Sequence, residues 1–181
     1  GAEFEAQKVS TMLKIAYIEK MFKENLNDYL EKIDCQDTKR EYLTLDEVKR
    51  LAATPCKIPV LKAASLFSCL TGLRISDILN LQWSDFGLAP DRGYCIRIRT
   101  QKTKTEATLP ISYEAYELCG EVGTGKVFKG LTRSMINYPL KHWLAEAGIE
   151  KHVTFHCFRH TFATLQIAAG TDIYTVSKML T

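Results

Sequence analysis

Thr154-Phe155-His156-Cys157-Phe158-Arg159-His160-Thr161-Phe162-Ala163-Thr164 is the stretch from which the rest of the chain can be read. Thr154 has the chemistry of an N-cap, so the segment after it reads as a helix with His156 and Arg159 in its first turn. Unpaired backbone N–H groups and the positive end of the helix dipole favour an anion there, and a phosphate suits the place. At helical spacing His156, Arg159 and His160 share one face, while Phe158, Phe162 and Leu165 point the other way into a core. That polar face admits three readings: an ordinary amphipathic helix, half of a metal site, or an anion site. The metal reading uses His156 and His160 at i and i+4. It lacks the intervening Glu of a zinc protease, has no carboxylate or thiol triplet nearby, and leaves Cys157 on the wrong face. Upstream sequence decides between the other two.

With 181 residues, 46% of them hydrophobic, the chain can bury one sizeable core and carry a helical appendage. A net charge of +3 permits a nucleic-acid partner without demanding one. The cysteines at 35, 56, 69, 95, 119 and 157 form no CxxC pair, and most lie in apolar surroundings. They read as reduced thiols of an intracellular protein and not as a disulfide framework or zinc ribbon. No signal peptide opens the chain and no run reaches the roughly 18 apolar residues of a membrane span. The expected location is cytoplasmic or nucleoid-associated.

Gly1-Ala2-Glu3-Phe4 resembles a cloning scar. Between Val9 and Ile33, Met12, Ile15, Ile18, Phe22, Leu26, Tyr29 and Ile33 make a helical apolar stripe, and the polar stretch from Cys35 to about 40 reads as a linker. Residues 1–40 are thus a tag remnant, a helical segment and a linker, and a domain is expected over 41–181. Thr44-Leu45-Asp46-Glu47 is a capping box opening a helix that Pro55 ends. Pro59 starts a second helix whose apolar residues face nearly every direction, the mark of a central buried helix, and Gly72 stops it. Arg74 then falls at a joint before Ile78, Leu79 and Leu81 resume an apolar stripe. Its guanidinium either caps carbonyls or pairs with Asp77, or else is held over a cavity for bidentate phosphate contact with Asp77 steadying it.

From Trp83 the period changes. Tyr94 to Thr100 alternates like a strand, Asp91-Arg92-Gly93 is the turn before it, and a second strand at 107–111 closes a hairpin around Gln101-Lys102-Thr103-Lys104-Thr105. Arg97 and Arg99 share one strand face and extend a basic track. Lysines at a hairpin tip either protect an edge or reach a bound ligand. Ser112 caps a short helix through Leu118. Gly123-Thr124-Gly125-Lys126 lacks the spacing of a nucleotide-binding loop. Thr132 is expected to cap one helix carrying Met135, Ile136, Leu140, Trp143 and Leu144 as far as Gly148. A last helix starts at Thr171-Asp172, and the chain ends inside its apolar pattern, as an incomplete polypeptide would.

Three motifs in order, Thr71-Gly72-Leu73-Arg74-Ile75-Ser76-Asp77-Ile78-Leu79, a lysine hairpin ending in Leu109-Pro110-Ile111, and His156 to Thr164, resemble the catalytic domain of tyrosine recombinases, the phage-integrase family. The likeness is to integrases of bacterial mobile elements and covers roughly residues 41–181. It implies a mainly α fold with a small antiparallel β-sheet (α+β), preceded by a separate DNA-clamping domain of which 9–33 is at most a hint. It also implies a site-specific recombinase that cuts and rejoins double-stranded DNA through a 3′-phosphotyrosyl link, as a tetramer on DNA and with no cofactor, metal or membrane. Arg74 and Arg159 would grip the scissile phosphate and His156 would assist proton transfer. Lys102, chosen over Lys104 by its distance to Pro110, would protonate the leaving oxygen. Asp77 stands where the family has Glu or Asp and would support Arg74, while Arg97, Arg99, Lys104 and His160 would contact DNA. The family's second His or Trp and its nucleophilic tyrosine would fall beyond Thr181. Tyr174 comes too early and reads as a packing residue, Tyr138 and Tyr94 are earlier still, and no nucleophile is assigned, so the chain as it stands is expected not to cleave. The rival readings are a DNA-binding module that does not cut, and an enzyme akin to type IB topoisomerases.

Overall fold

The computed structural model describes residues 41–90, 93–99 and 106–171, with the Arg99 side chain excepted. All of them belong to one of the two units into which the chain divides, Arg40–Thr181. The segment read as helical at 9–33, the linker before 41, the lysine tip at 101–105 and the last helix from Asp172 lie outside the described residues.

Helix α1, Leu45–Ala53, starts at the expected capping box: the Thr44 N–H donates to Glu47 Oε2 at 2.8 Å and the Glu47 N–H to Thr44 Oγ1 at 3.3 Å. Its C-terminal carbonyl at Thr54 accepts from Lys62 Nζ at 2.9 Å and Trp143 Nε1 at 3.2 Å. Helix α2, Pro59–Thr71, is the central helix, burying Leu61, Ala64, Leu66, Phe67 and Cys69, and it ends at Gly72 with φ +70°. A short helix α3 follows at Ile75–Asn80. Strands β1 (Phe86–Leu88), β2 (Tyr94–Arg99) and β3 (Glu106–Ile111) form an antiparallel sheet in that order, with Phe86 opposite Ile96 and Ile96 opposite Leu109. β1 has only three residues, too few to show an alternating pattern, which is why sequence periodicity missed it. Ser112 caps helix α4, Tyr113–Glu117, by accepting from the Ala115 N–H at 3.2 Å. The glycine loop after it is a brace: Gly125 and Leu81 exchange backbone bonds with Trp83 and Val127 across the Gln82–Lys126 bridge.

The single helix expected from Thr132 to Gly148 is broken. A 3-10 turn at Arg133–Ile136 gives way at Asn137 (φ −95°, ψ −108°) to helix α5, Tyr138–Glu146. Pro139 is the cause. It has no N–H for the carbonyl of Met135 and its ring would strike that carbonyl, whereas in the first turn of a new helix neither matters. Helix α6, Phe155–Ala168, buries Phe155, Phe158, Thr161 and Phe162 and packs along α2. Fully buried Thr161 ties the domain's start to this helix: its Oγ1 accepts from the Leu43 N–H and donates to Cys157 O, both at 2.9 Å. The architecture is thus mostly helical with a small antiparallel sheet. No helix among the described residues is long and apolar enough to cross a membrane.

Candidate functional site

Two chain turns build the site. The first links α2 to α3. Gly72 turns the chain in the left-handed region, its N–H donating to Ser68 O at 2.8 Å. The buried Ser68 hydroxyl then donates to Leu73 O at 2.9 Å, and the buried Thr71 hydroxyl to Phe67 O at 2.7 Å. Leu73, only 6% exposed, anchors the turn to the core. Arg74 comes next as the N-cap residue of α3, its backbone N–H donating to Asp77 Oδ2 at 3.3 Å. The second turn opens α6 at Thr154. Here Cys157, set aside by sequence reasoning as facing away, supplies the cap: its Sγ accepts from the Thr154 N–H at 3.3 Å and lies 3.4 Å from Thr154 Oγ1. A thiol thus occupies the place of Glu in a capping box.

A direct bond joins the turns. Arg159 Nη1 donates to Gly72 O at 2.8 Å, across 87 positions of sequence. Of the two alternatives open for Arg74, carbonyl capping therefore falls to Arg159. An open hollow of about 360 Å³ lies between the turns, lined by Arg74, Ser76, Arg133, Asn137, His156 and Arg159 among others. Among the described residues the ion pairs within 4.0 Å are His142–Glu146 and Lys151–Glu47, so no carboxylate neutralises either arginine directly. The Arg159 pKa is pushed below its ordinary value, first by burial and then by the Arg74 charge, with the Asp77 carboxylate opposing. Two guanidinium groups thus repel one another across a hollow, and an anion between them would relieve that repulsion. His156 stands at its edge with its ring 4.9 Å from that of His160, edge to face. No group of three or more His, Cys, Asp or Glu among the described residues is arranged to hold a metal ion.

Of the other expected site residues, Arg97 and His160 are not among the described residues lining this hollow. Arg97 lines a separate one of about 260 Å³ with Ser76, Asp77, Asn80, Gln82 and Asp85, and its guanidinium reaches over Gly87. Two carboxylates therefore share its surroundings, which weakens its place in a basic track. The Arg99 backbone stands opposite Glu106 in the β2–β3 register. Lys102, Lys104 and Tyr174 lie outside the described residues. No tyrosine among the described residues lines the basic hollow; Tyr94 stacks on Tyr116 at 3.8 Å and Tyr138 stands against His142. Arg133 and Asn137 are the additions. They sit in the 3-10 turn Arg133–Ile136 and at the break that follows it, and neither stands in a motif that marks it in the sequence.

The family model described as "Phage integrase family" matches residues 41–181. Tyrosine recombinase XerA of Thermococcus kodakarensis is 32% identical over 178 residues, 87% of this chain and 60% of that protein. The catalytic domain of bacteriophage HP1 integrase superposes with a TM-score of 0.60 at 26% identity, over 77% of this chain and 79% of that one. A XerH site-specific recombinase bound to its difH substrate superposes with a TM-score of 0.59 at 20% identity, over 77% of this chain and 46% of that one. The chain spans about half the length of the curated relatives it matches, 42%, 49% and 60% of three of them. With the fold, the order of the motifs and the match over 41–181 in agreement, the chain belongs to the phage integrase family.

Proposed function

We propose that residues 41–181 are the catalytic domain of a site-specific DNA recombinase and that the hollow between Arg74 and Arg159 receives the scissile phosphodiester. The observation that carries this reading is the convergence of Arg74, His156 and Arg159 on one hollow, with no carboxylate among the described residues paired to either arginine. The two guanidinium groups would hold the non-bridging oxygens and offset charge as the phosphorus becomes five-coordinate. Arg159 keeps part of its fork on Gly72 O, so it would offer the remaining N–H groups to the phosphate. His156 would hydrogen-bond the same phosphate and assist proton transfer. A tyrosine from outside the described residues would attack phosphorus and lose its proton. The 5′ oxygen would leave with a proton from Lys102, giving a 3′-phosphotyrosyl link that conserves the phosphodiester energy. The scheme uses no metal ion or nucleotide.

Asp77 would hold the Arg74 backbone in place, and Arg97, Arg99, Lys104 and His160 would contact DNA beside the cleaved bond. Four protomers would assemble on paired sites, and the protein would reside at the nucleoid with its DNA. A relative's solved complex with a DNA substrate supports duplex DNA as the partner. The test has two arms. The 181-residue chain should bind duplex DNA with an affinity that falls steeply with salt, and Arg74→Ala should weaken it. A polypeptide that also carries the tyrosine, incubated with supercoiled plasmid bearing paired sites, should yield a denaturant-resistant protein–DNA adduct and recombinant product. Relaxation without recombination would favour the topoisomerase-like reading, binding with no adduct would favour the non-cleaving module, and salt-insensitive or absent binding would overturn a DNA role.

A further inference from the structure

We infer that Ser68, buried under the site and outside the hollow, is the positioning residue that sets the direction of Arg74. The inference rests on the proposed phosphate role of Arg74. Ser68 is fully buried in α2, six positions before the arginine, yet both of its polar groups are committed to the turn that carries it. Its carbonyl accepts from the Gly72 N–H at 2.8 Å and its hydroxyl donates to Leu73 O at 2.9 Å. The next carbonyl upstream, Gly72 O, is held by Arg159 Nη1 at 2.8 Å. The next downstream, Arg74 O, accepts from the Asp77 and Ile78 N–H groups at 3.0 Å. Three successive peptide planes are therefore fixed, and the middle one is held by Ser68 at its carbonyl, at 2.9 Å, and more loosely by Asp77 Oδ2 at its N–H, at 3.3 Å.

That middle plane is the Leu73–Arg74 peptide. Its hold fixes ψ of Leu73 and φ of Arg74, the two soft torsions that set where the Arg74 Cα–Cβ bond points relative to α2, and releasing it lets them change independently. Leu73 is 6% exposed and cannot shift without leaving the core, so the change would be taken at Arg74, which is exposed and has no ion-pair partner within 4.0 Å among the described residues. A buried hydroxyl can also be replaced with little change in volume, whereas an unsatisfied buried carbonyl drives the chain to rearrange. Ser65, one turn earlier and equally buried, has a hydroxyl with no hydrogen-bond partner among the described residues and is the internal control.

The experiment compares the wild-type chain with Ser68→Ala, Ser68→Cys, Ser65→Ala, Arg74→Ala and the double variant Ser68→Ala/Arg74→Ala. Each is checked by urea melt to be folded under assay conditions, and each is titrated onto a labelled random-sequence duplex at several salt concentrations. Arg74→Ala should weaken binding by about tenfold and reduce the salt slope by about 1, the signature of one lost phosphate contact. Ser68→Ala should reproduce most of that loss and the same fall in slope, Ser68→Cys, with its weak S–H donor, should restore part of it, and Ser65→Ala should change neither. In the Arg74→Ala background Ser68→Ala should have no further effect on binding. The inference is overturned if Ser68→Ala leaves the slope at the wild-type value, or if its effect adds in full to that of Arg74→Ala. If Arg74→Ala itself leaves affinity and slope unchanged, the phosphate role of Arg74 fails and this inference with it, a result separate from a failure at Ser68 alone. Should Ser68→Ala be unfolded, Ser68→Cys alone decides: it must weaken binding in the wild-type background and not in the Arg74→Ala background.

Discussion

Replacing Arg159 with Met keeps most of the aliphatic stem and removes the guanidinium, and the structure says how stability and binding should part. The lost bond to Gly72 O is a charged hydrogen bond, which ordinarily contributes about 1.5–3 kcal/mol. Against this stand two unfavourable effects that the same substitution removes: the burial of a half-buried cation and its repulsion by Arg74, which together lower the Arg159 pKa. The net destabilisation should therefore be small, about 1 kcal/mol or less, and visible as a modest shift in a urea melt. Duplex DNA affinity should fall by about tenfold with a loss of about 1 in salt slope, because a phosphate ligand has gone. Arg159→Lys should keep much of the slope, but its compact ammonium lacks the planar fork that lets Arg159 face the Gly72 carbonyl and an anion from separate N–H groups, so affinity should stay below the wild-type value. The reasoning is refuted if Arg159→Met costs more than about 3 kcal/mol in stability while DNA affinity is unchanged, since Arg159 would then be a strut and not a ligand.

Three further outcomes follow from contacts away from the hollow. Thr161→Val, nearly isosteric, strands the buried Leu43 N–H and should cost about 1–3 kcal/mol in a urea melt, while Thr161→Ser should cost much less. Glu47 is opposed by burial, but hydrogen bonds from Lys151 and Thr44 more than offset it and hold its carboxyl below the ordinary value. A depressed carboxyl contributes stability that is fully present above about pH 5 and lost as pH falls through the folded pKa, below the ordinary glutamate value of about 4.3. Glu47→Gln should flatten that acid limb of a stability–pH profile, and an unchanged limb would contradict the assignment. Burial pushes the Cys119 thiol up to about 12 and Cys69 higher still, so native-state alkylation followed by peptide mass mapping should label half-buried Cys56 and Cys157 well before either. Preferential labelling of Cys69 would show that α2 opens more readily than its packing implies.

The residue types and their order carried most of the fold. Capping boxes, Pro59 at the start of α2 and Gly72 at its end act locally, and local signals survive in a single sequence. Arg74, His156 and Arg159 were legible because each sits beside a turn signal of its own. What escaped was set by tertiary placement. β1 is held by its partner strand and not by its own pattern, Pro139 splits what reads as one helix after Thr132, and Cys157 turns its sulfur back to a backbone donor. Arg97 looks like part of a basic track when counted along the strand, but the fold sets Asp77 and Asp85 around its hollow. The exchange of roles between Arg74 and Arg159 at the Gly72 carbonyl could not be read at all, because it depends on two turns meeting in space.

The most direct test is to locate an anion. Crystals of the chain soaked in tungstate, phased at the tungsten edge, should show one tetrahedral anion between Arg74 and Arg159 with His156 in hydrogen-bond reach, and Arg74→Ala crystals treated alike should lose it. Tungstate bound only elsewhere on the domain, or an Arg74 side chain turned away from Arg159 with the hollow empty, would contradict the account.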